Sequence, residues 1–381
     1  MADKTSYDKD VSVRFSPFMR LSMAVALGSL ATVGLGVYLL VGDVLKNLGR
    51  QTPLAYALAI LFFAPVVLVL AERSDVIRGR GGIFHLARSG DIVWLGYWSG
   101  WLMALGHFCL VALFAWGAGQ ILNTALRDYL EIEVDYRLLA ALAVVLVALL
   151  RQIRRETAWN LKSGLIFGSI LVVLVLTIRL WVRPVQTMPS SGFLPTQDPI
   201  SALPFLAIAL WGTSFVLDHR DEMRRPRRRM LAALSLPVLL GGVIGVFTSL
   251  VLLQYTGIVA TTDQPLVALV TEIGPVAEGL LLLAALGLAL AGINQGLEST
   301  SRLVEEMVGS GFIPERLLTT NGRFRPYLTI PIPLIAIILV VLLPVSVIAG
   351  AAAATLLLAI SLTLGQDVFR RNPLLPDTRR L

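Results

Sequence analysis

The sequence predicts an all-α integral membrane protein with ten transmembrane helices arranged as a five-plus-five inverted repeat, helices 1 and 6 being discontinuous. Three observations carry this reading. Of 381 residues, 56% are hydrophobic and only 15% charged, and the mean hydropathy of +0.77 exceeds what a single soluble core needs. Ten apolar segments succeed one another, near residues 21–45, 53–71, 92–122, 136–150, 160–182, 202–218, 230–256, 275–301, 328–344 and 345–365, against the ~20 apolar residues that span a bilayer. The basic residues, finally, gather in every second loop.

The first segment is about 25 residues long and follows a mixed-charge tail, which is too long for the apolar stretch of a cleaved signal, so it is taken as a retained helix. With the N-terminus in the cytoplasm, the cytoplasmic stretches hold 26 of the 32 Lys and Arg residues, six of them in 219–229. The outer side holds only Lys46, Arg50, Arg127, Arg137, Arg179 and Arg183. Ten helices with both termini inside satisfy the positive-inside rule at every loop. This places the chain in a bacterial inner membrane as a multi-pass protein. It also explains the net charge of +7 without nucleic acid: the run Arg224 to Arg229 anchors topology and is suited to touch anionic lipid. The single cysteine, Cys109, falls in the third segment, so no disulfide framework or cysteine metal cluster can be built, and packing is its expected role.

A Pro-rich loop at 183–200 (Pro184, Pro189, Pro195, Pro199) divides the chain evenly. The expected organisation is a cytoplasmic tail at 1–20, a first five-helix repeat at 21–182, the outer loop at 183–200, a second repeat at 201–365 and a cytoplasmic tail at 366–381. Because five is odd, the second repeat is inverted. That plan places a binding site at the bilayer midplane, between helices broken at corresponding positions. Segment 1 carries Gly34-Leu35-Gly36 in its interior and segment 6, short at its Asp218 end, carries Gly212-Thr213-Ser214. Unwinding at both is the expectation; the alternative is small-residue helix packing.

Several phrases, in order along the chain, resemble those of the amino acid–polyamine–organocation permease superfamily. Gly34-Leu35-Gly36-Val37-Tyr38 is similar to the family's Gly-Ser-Gly-Ile-Phe break, with Leu35 replacing a small residue. Glu72 followed by Gly81-Gly82-Ile83-Phe84, then Gly100-Trp101, Asp221-Glu222-Met223-Arg224-Arg225-Pro226, Asn294, Ser301-Arg302 and Gly311-Phe312-Ile313-Pro314 continue the likeness over roughly residues 25 to 330. The resemblance implies the leucine-transporter type of fold, whose ten core helices carry transport; many members have twelve. It also implies a permease for amino acids or related organic amines, working by alternating access with proton coupling or exchange. Within this reading an amino-acid exporter is the alternative, and from another class a non-transporting, ligand-sensing receptor on the same fold.

The physical argument for the substrate is complementarity, since an unwound membrane helix frees N–H and C=O groups and a zwitterionic amino acid offers a charge to each. The amides of Gly36, Val37 and Tyr38, beside Gly34 and Leu35, are placed to bind the α-carboxylate. Carbonyls near Leu210 and Trp211 would accept the α-ammonium. Trp211 is a candidate gate that caps the substrate, a role the resemblance supports; the alternative is an interfacial or lipid-facing tryptophan. Gly212, Thr213 and Ser214 offer hydroxyls and backbone groups to the ligand, or merely to the freed helix.

The resemblance places the substrate-facing positions of the third helix at Gly106 and His107. An ionisable side chain inside a membrane helix is a functional candidate by default, and histidine titrates near neutral pH; the alternative is a neutral ring bonded to a backbone carbonyl. Asn294 faces either the cavity or another helix. For coupling, His107 and Glu298 are candidate proton carriers, with an ion pair to an internal arginine as the alternative for Glu298, while Asp43 lies near the outer end of its helix. Ser299 and Ser301 offer hydroxyls to a sodium ion, but H+ is the expected coupling ion. No His-Glu-x-x-His, no nucleophile elbow and only three histidines (His85, His107, His219) are present, so the chain is read as no enzyme, with no metal and no cofactor. The expected partners are a small-molecule amino acid or amine and the lipid bilayer.

Overall fold

The computed structural model describes residues 17–74, 81–89, 93–153, 158–182, 206–220, 226–255, 257–258, 262, 264–314 and 330–370. The outer loop at 183–200, Asp221 and Glu222 with Arg224 and Arg225, and the C-terminal tail beyond residue 370 lie outside the described residues. What is described is helical, and no strand occurs among the described residues. Seven helical stretches are long and apolar enough to cross a membrane. The fourth, sixth and ninth apolar segments form shorter helices, Tyr136–Ile153, Ala207–Asp218 in two pieces, and Pro331–Leu342.

The chain opens with α1 (Pro17–Ser29), a π-helical stretch (Leu30–Leu39) and α2 (Val41–Leu48). After a 3₁₀ turn, α3 (Thr52–Arg73) begins with Pro53, where the missing N–H costs nothing, and Thr52 Oγ1 donates to the Gly49 carbonyl at 2.9 Å. A short α4 (Gly82–Arg88) leads to α5 (Val93–Leu130). At 1.5 Å per residue this 38-residue helix is roughly 57 Å long, well beyond the hydrocarbon core. Then come α6 (Tyr136–Ile153) and α7 (Ala158–Val182).

The second half has a 3₁₀ turn (Ala207–Leu210), α8 (Trp211–Asp218), α9 (Pro226–Leu252), α10 (Pro265–Thr271), α11 (Pro275–Gly309), α12 (Pro331–Leu342) and α13 (Val345–Arg370). Proline opens four of these helices, α9 to α12, and marks their starts in the sequence. Glu278 in the first turn of α11 suits the positive end of its dipole.

Burial separates inner from outer helices. The most apolar window of α5 is 78% buried, against 33% for that of α7, so α5 is central, packed on α11, α13 and α6, and α7 is peripheral. The outer helices show stripes at helical spacing: Leu138, Leu142, Val145 and Leu149 on α6, and Leu171, Val175, Ile178 and Val182 on α7, are exposed. A soluble protein would not expose such contiguous stripes; hydrocarbon is the solvent that covers them.

The expected interruptions of helices 1 and 6 take a different form from unwinding. Residues 30–39 stay helical but shift to i→i−5 spacing, and the Leu40 N–H donates to the Leu35 carbonyl at 2.9 Å. π-Helical turns of this kind are rare and concentrate at functional sites. Gly212, Thr213 and Ser214 are α-helical within α8, and the departure from α geometry lies one turn earlier, at Ala207–Leu210. The glycine has a packing reason: a Cβ on Gly212 would overlap the Gly28 carbonyl oxygen, so α8 crosses α1 backbone to backbone. Small size is used there, rather than freedom to unwind.

Candidate functional site

The π stretch presents two faces. Gly34 looks toward α5 and α11, where a Cβ would lie 3.4 Å from the Phe114 ring and 3.9 Å from Leu288 Cβ. Gly36, two residues on and therefore on the opposite side, has no atom within 4 Å of the position its Cβ would take. It lines a cavity of about 30 Å³ with Thr32, Tyr56, Phe63, Val238 and Gly241, room for roughly two water molecules. Leu35 and Val37 are fully buried in the core.

Neighbouring helices supply hydroxyls to this stretch. The Tyr56 hydroxyl on α3 donates to the Gly36 carbonyl, while Tyr38 reaches across to α7 and donates to the Ser169 carbonyl at 3.0 Å. Thr32 sits against Gly241, whose absent side chain lets α9 approach. The carboxylate cradle expected at Gly36, Val37 and Tyr38 is thus closed as a helix in this conformation: the amides lie within the π stretch and the Gly36 carbonyl is taken by Tyr56.

A second cluster forms where α5, α8 and α13 meet. Trp211 is completely buried, its Nε1 donating to the Ala352 carbonyl on α13 at 3.0 Å; it is neither interfacial nor lipid-facing. Its ring lies over Gly106, where a Cβ would overlap Cζ2 and stand 2.6 Å from Thr355 Oγ1. His107 is 1% exposed, with its ring centroid 4.8 Å from that of Trp211 and stacked on Phe215 at 6.2 Å with only 10° between the planes. Neither His107 nitrogen has a hydrogen-bond partner among the described residues, nor has the buried Ser214 Oγ on the same helix as Trp211. Buried polar atoms without partners are costly and uncommon. The structure thus brings Gly106, His107, Trp211 and the helix carrying Gly212, Thr213 and Ser214 together; Leu210 closes the 3₁₀ turn before them.

The main-chain carbonyl of Asn294 accepts from Arg151 Nη1 of α6 at 3.4 Å. Glu298 points elsewhere. Its Oε1 is held by Arg302 Nη2 at 2.6 Å and lies 3.7 Å from His219 Nε2. Ser301 Oγ donates to the Leu297 carbonyl within its own helix at 2.8 Å, and Ser299 Oγ accepts from Gln295 Nε2 at 3.2 Å.

This third cluster, at the far end of α8, contains a residue that sequence reasoning passed over. Asp218 is only 5% exposed and bonds to Ser299 through its side chain, while Arg302 Nη1 reaches its main-chain carbonyl at 3.2 Å. Gly82, at φ +45° and following Gly81 at φ +129°, lies directly over the carboxylate: a Cβ there would stand 2.6 Å from Asp218 Oδ1. The Gly81-Gly82 pair was the available signal, since two consecutive left-handed glycines mark a close backbone approach.

The family model for amino acid permeases matches residues 19–366, nearly the whole chain. The chain belongs to the amino acid permease family. Among curated proteins, this permease is similar to an uncharacterized transporter of Mycobacterium tuberculosis, 21% identical over 344 residues covering 81% of this chain and 70% of that protein. A Mycobacterium bovis transporter, likewise uncharacterized, is 22% identical over 345 residues with the same coverage. The permease is a multi-pass membrane transporter, as its apolar helices and its family agree, and a transporter is not an enzyme.

Proposed function

We propose that this permease is a secondary transporter that moves amino acids or related organic amines by alternating access, on ten helices built as two inverted repeats in the leucine-transporter manner. The observation that carries the reading is His107: an imidazole buried inside the membrane domain, with both nitrogens unpartnered and two aromatic rings against it. Such a group has a donor and an acceptor to give a ligand. Trp211 fills the adjacent space, so ligand entry requires it to swing away from Gly106, which makes it the gate.

Gly36 completes the site from the other side of helix 1. Opening the π stretch would release the 36–38 amides toward a carboxylate and return Tyr56 to the ligand or to water, while the turn at Ala207–Leu210 would offer carbonyls to the ammonium. Proton symport or exchange supplies the driving force, with both termini in the cytoplasm of an inner membrane.

Uptake of a panel of labelled amino acids and amines into proteoliposomes, with and without an imposed pH gradient, tests this. Concentrative uptake or counterflow of at least one member is expected. No flux of any member into or out of the vesicles would reject the reading, and saturable binding without flux would mark a receptor.

A further inference from the structure

The transport reading leaves two buried acids unused, Glu278 and Asp218; Glu278 lies in the first turn of α11, where the positive helix end favours its charge, and Asp218 has no such support. Glu298 is neutralised by Arg302 at 2.6 Å, with His219 3.7 Å away, whereas Asp218 makes no ion pair among the described residues and its Oδ2 has no hydrogen-bond partner. Its surroundings are closed on each side: Gly82 of α4 covers Oδ1, Leu217 packs beside it, and Ser299 of α11 supplies one hydrogen bond. The groups that act on its charge are His219 next to it and Arg302 and Glu298 on α11. Further along, His85 of α4 pairs with Glu306 of α11 at 3.7 Å. The π stretch and the 3₁₀ turn carry no charged residue, and Arg220 follows two positions on from Asp218. Because Arg302 is committed to Glu298, Asp218 faces a pair that is nearly neutral overall.

We propose that Asp218 is the proton-binding carboxylate of this permease, protonated while the end of α8 is packed against α4 and α11 and deprotonated to cytoplasmic water as that end opens. This rests on the transport reading above and names its coupling group, in place of His107 and Glu298. The physical reason is desolvation. A carboxylate with one oxygen unpaired and buried is strongly disfavoured, whereas the carboxylic acid needs only a single donor bond and tolerates the dry site. Packing and proton retention therefore go together, and so do opening and release. Helix α8 also carries Trp211, seven residues earlier, so its movement at one end reaches the candidate gate at the other. No metal cation is needed, and Arg302 beside the site disfavours one.

The test needs no knowledge of the substrate. Infrared difference spectra of the purified permease in lipid, taken between alkaline and mildly acidic buffer, report the C=O stretch of a buried protonated carboxyl by its slow deuterium shift. The wild type and Glu278→Gln, which removes the other buried acid, are expected to show this band and Asp218→Asn to lose it; Asp218→Glu, which keeps a carboxyl at the site, is expected to move its frequency and titration midpoint. A band that persists in Asp218→Asn, stays unaltered in Asp218→Glu or vanishes in Glu278→Gln would overturn the assignment. So would a wild-type band abolished by replacing potassium with sodium at fixed pH, which would mark a sodium site. If the band behaves as expected but the uptake panel shows no flux, the proton site stands and the transport reading fails.

Discussion

Gly28 on α1 and Gly212 on α8 touch backbone to backbone: a Cβ on Gly212 would overlap the Gly28 carbonyl oxygen and stand 3.1 Å from its Cα. Gly28 in turn lies under Pro237 of α9. Three membrane helices are thereby locked at one crossing, immediately before the π stretch of helix 1 and within the first turn of α8. Close approach of this kind is how membrane helices gain packing where no hydrophobic force separates them from lipid.

Gly212→Ala should therefore lower stability. Overpacking a tight contact costs about 1–3 kcal/mol, and here the obstacle is backbone, which cannot rotate aside. Thermal melting of the detergent-solubilised protein should show a clear drop for Gly212→Ala and none for Gly350→Ala, where a Cβ meets nothing within 4 Å. Equal melting temperatures would show that α1 and α8 separate more easily than their contact implies.

Trp211 should respond to loss of its single polar contact. In Trp211→Phe the Ala352 carbonyl loses the 3.0 Å indole donor but keeps Thr355 Oγ1 at 3.1 Å, so the loss is that of one ordinary hydrogen bond, about 0.5–1.5 kcal/mol. The bulk of the ring largely remains, so the protein should still be purified as a monodisperse species, with a lower melting temperature. If the ring is also the gate, uptake of whichever panel member the wild type transports should change in apparent affinity. Unaltered melting would mean that the indole N–H contributes nothing at this site.

Arg302→Lys tests the cluster at the other end of α8. The guanidinium reaches the Glu298 carboxylate at 2.6 Å and the Asp218 carbonyl at 3.2 Å through different nitrogens. A lysine ammonium is a compact charge on a flexible stem and cannot keep that fork. One charge-assisted bond lost is worth about 1.5–3 kcal/mol. The expected result is a lower melting temperature and faster labelling of a cysteine placed at Ser310, near the same end of α11.

The spans were legible because the bilayer forces long apolar runs, and helix starts at Pro53, Pro226, Pro275 and Pro331 stand in the sequence as prolines. The form of helix 1 was not. A π stretch and an unwound one demand the same small residues, and only the i→i−5 bond from Leu40 to Leu35 tells them apart. Gly212 misled for a related reason: glycine signals close approach and flexibility alike, and which applies depends on Gly28, 184 positions away in the sequence. Among the candidate site residues, Gly106, His107 and Trp211 were nameable from spacing and likeness, and the structure places them together. Asp218 was not, because an acid at the end of an apolar run looks solvated until Gly82 is seen to cover it.

Topology can be read with single cysteines. Cys109 is buried, 3% exposed, so it is best replaced by alanine for a clean background. A cysteine at exposed Glu133, between α5 and α6, should then react with an impermeant reagent added to intact cells, whereas one at Pro226 should react only after permeabilisation. Labelling at 226 from outside would invert the assignment drawn from the arginines of 219–229.

The sharpest prediction concerns Gly36. It is the one position of the Gly34-Leu35-Gly36 phrase where a side chain would enter open space, since nothing lies within 4 Å of its Cβ position, so Gly36→Val should insert and fold normally. The valine would instead occupy the cavity of about 30 Å³ beside Tyr56, and its branched Cβ would resist the backbone change that opening the π stretch requires. If the 36–38 amides receive a carboxylate, at least one charge-assisted hydrogen bond worth about 1.5–3 kcal/mol is lost, which is a fall of about 10-fold or more in affinity. Gly117 is unsuited as a control, because a Cβ there would overlap Leu39 of the same π stretch; lipid-facing Gly168, with nothing within 4 Å, is suited. Calorimetry with the best amino acid of the uptake panel should find binding weakened in Gly36→Val and unchanged in Gly168→Val. Wild-type affinity in a well-folded Gly36→Val protein would remove helix 1 from the binding site and leave His107 and Trp211 to account for it.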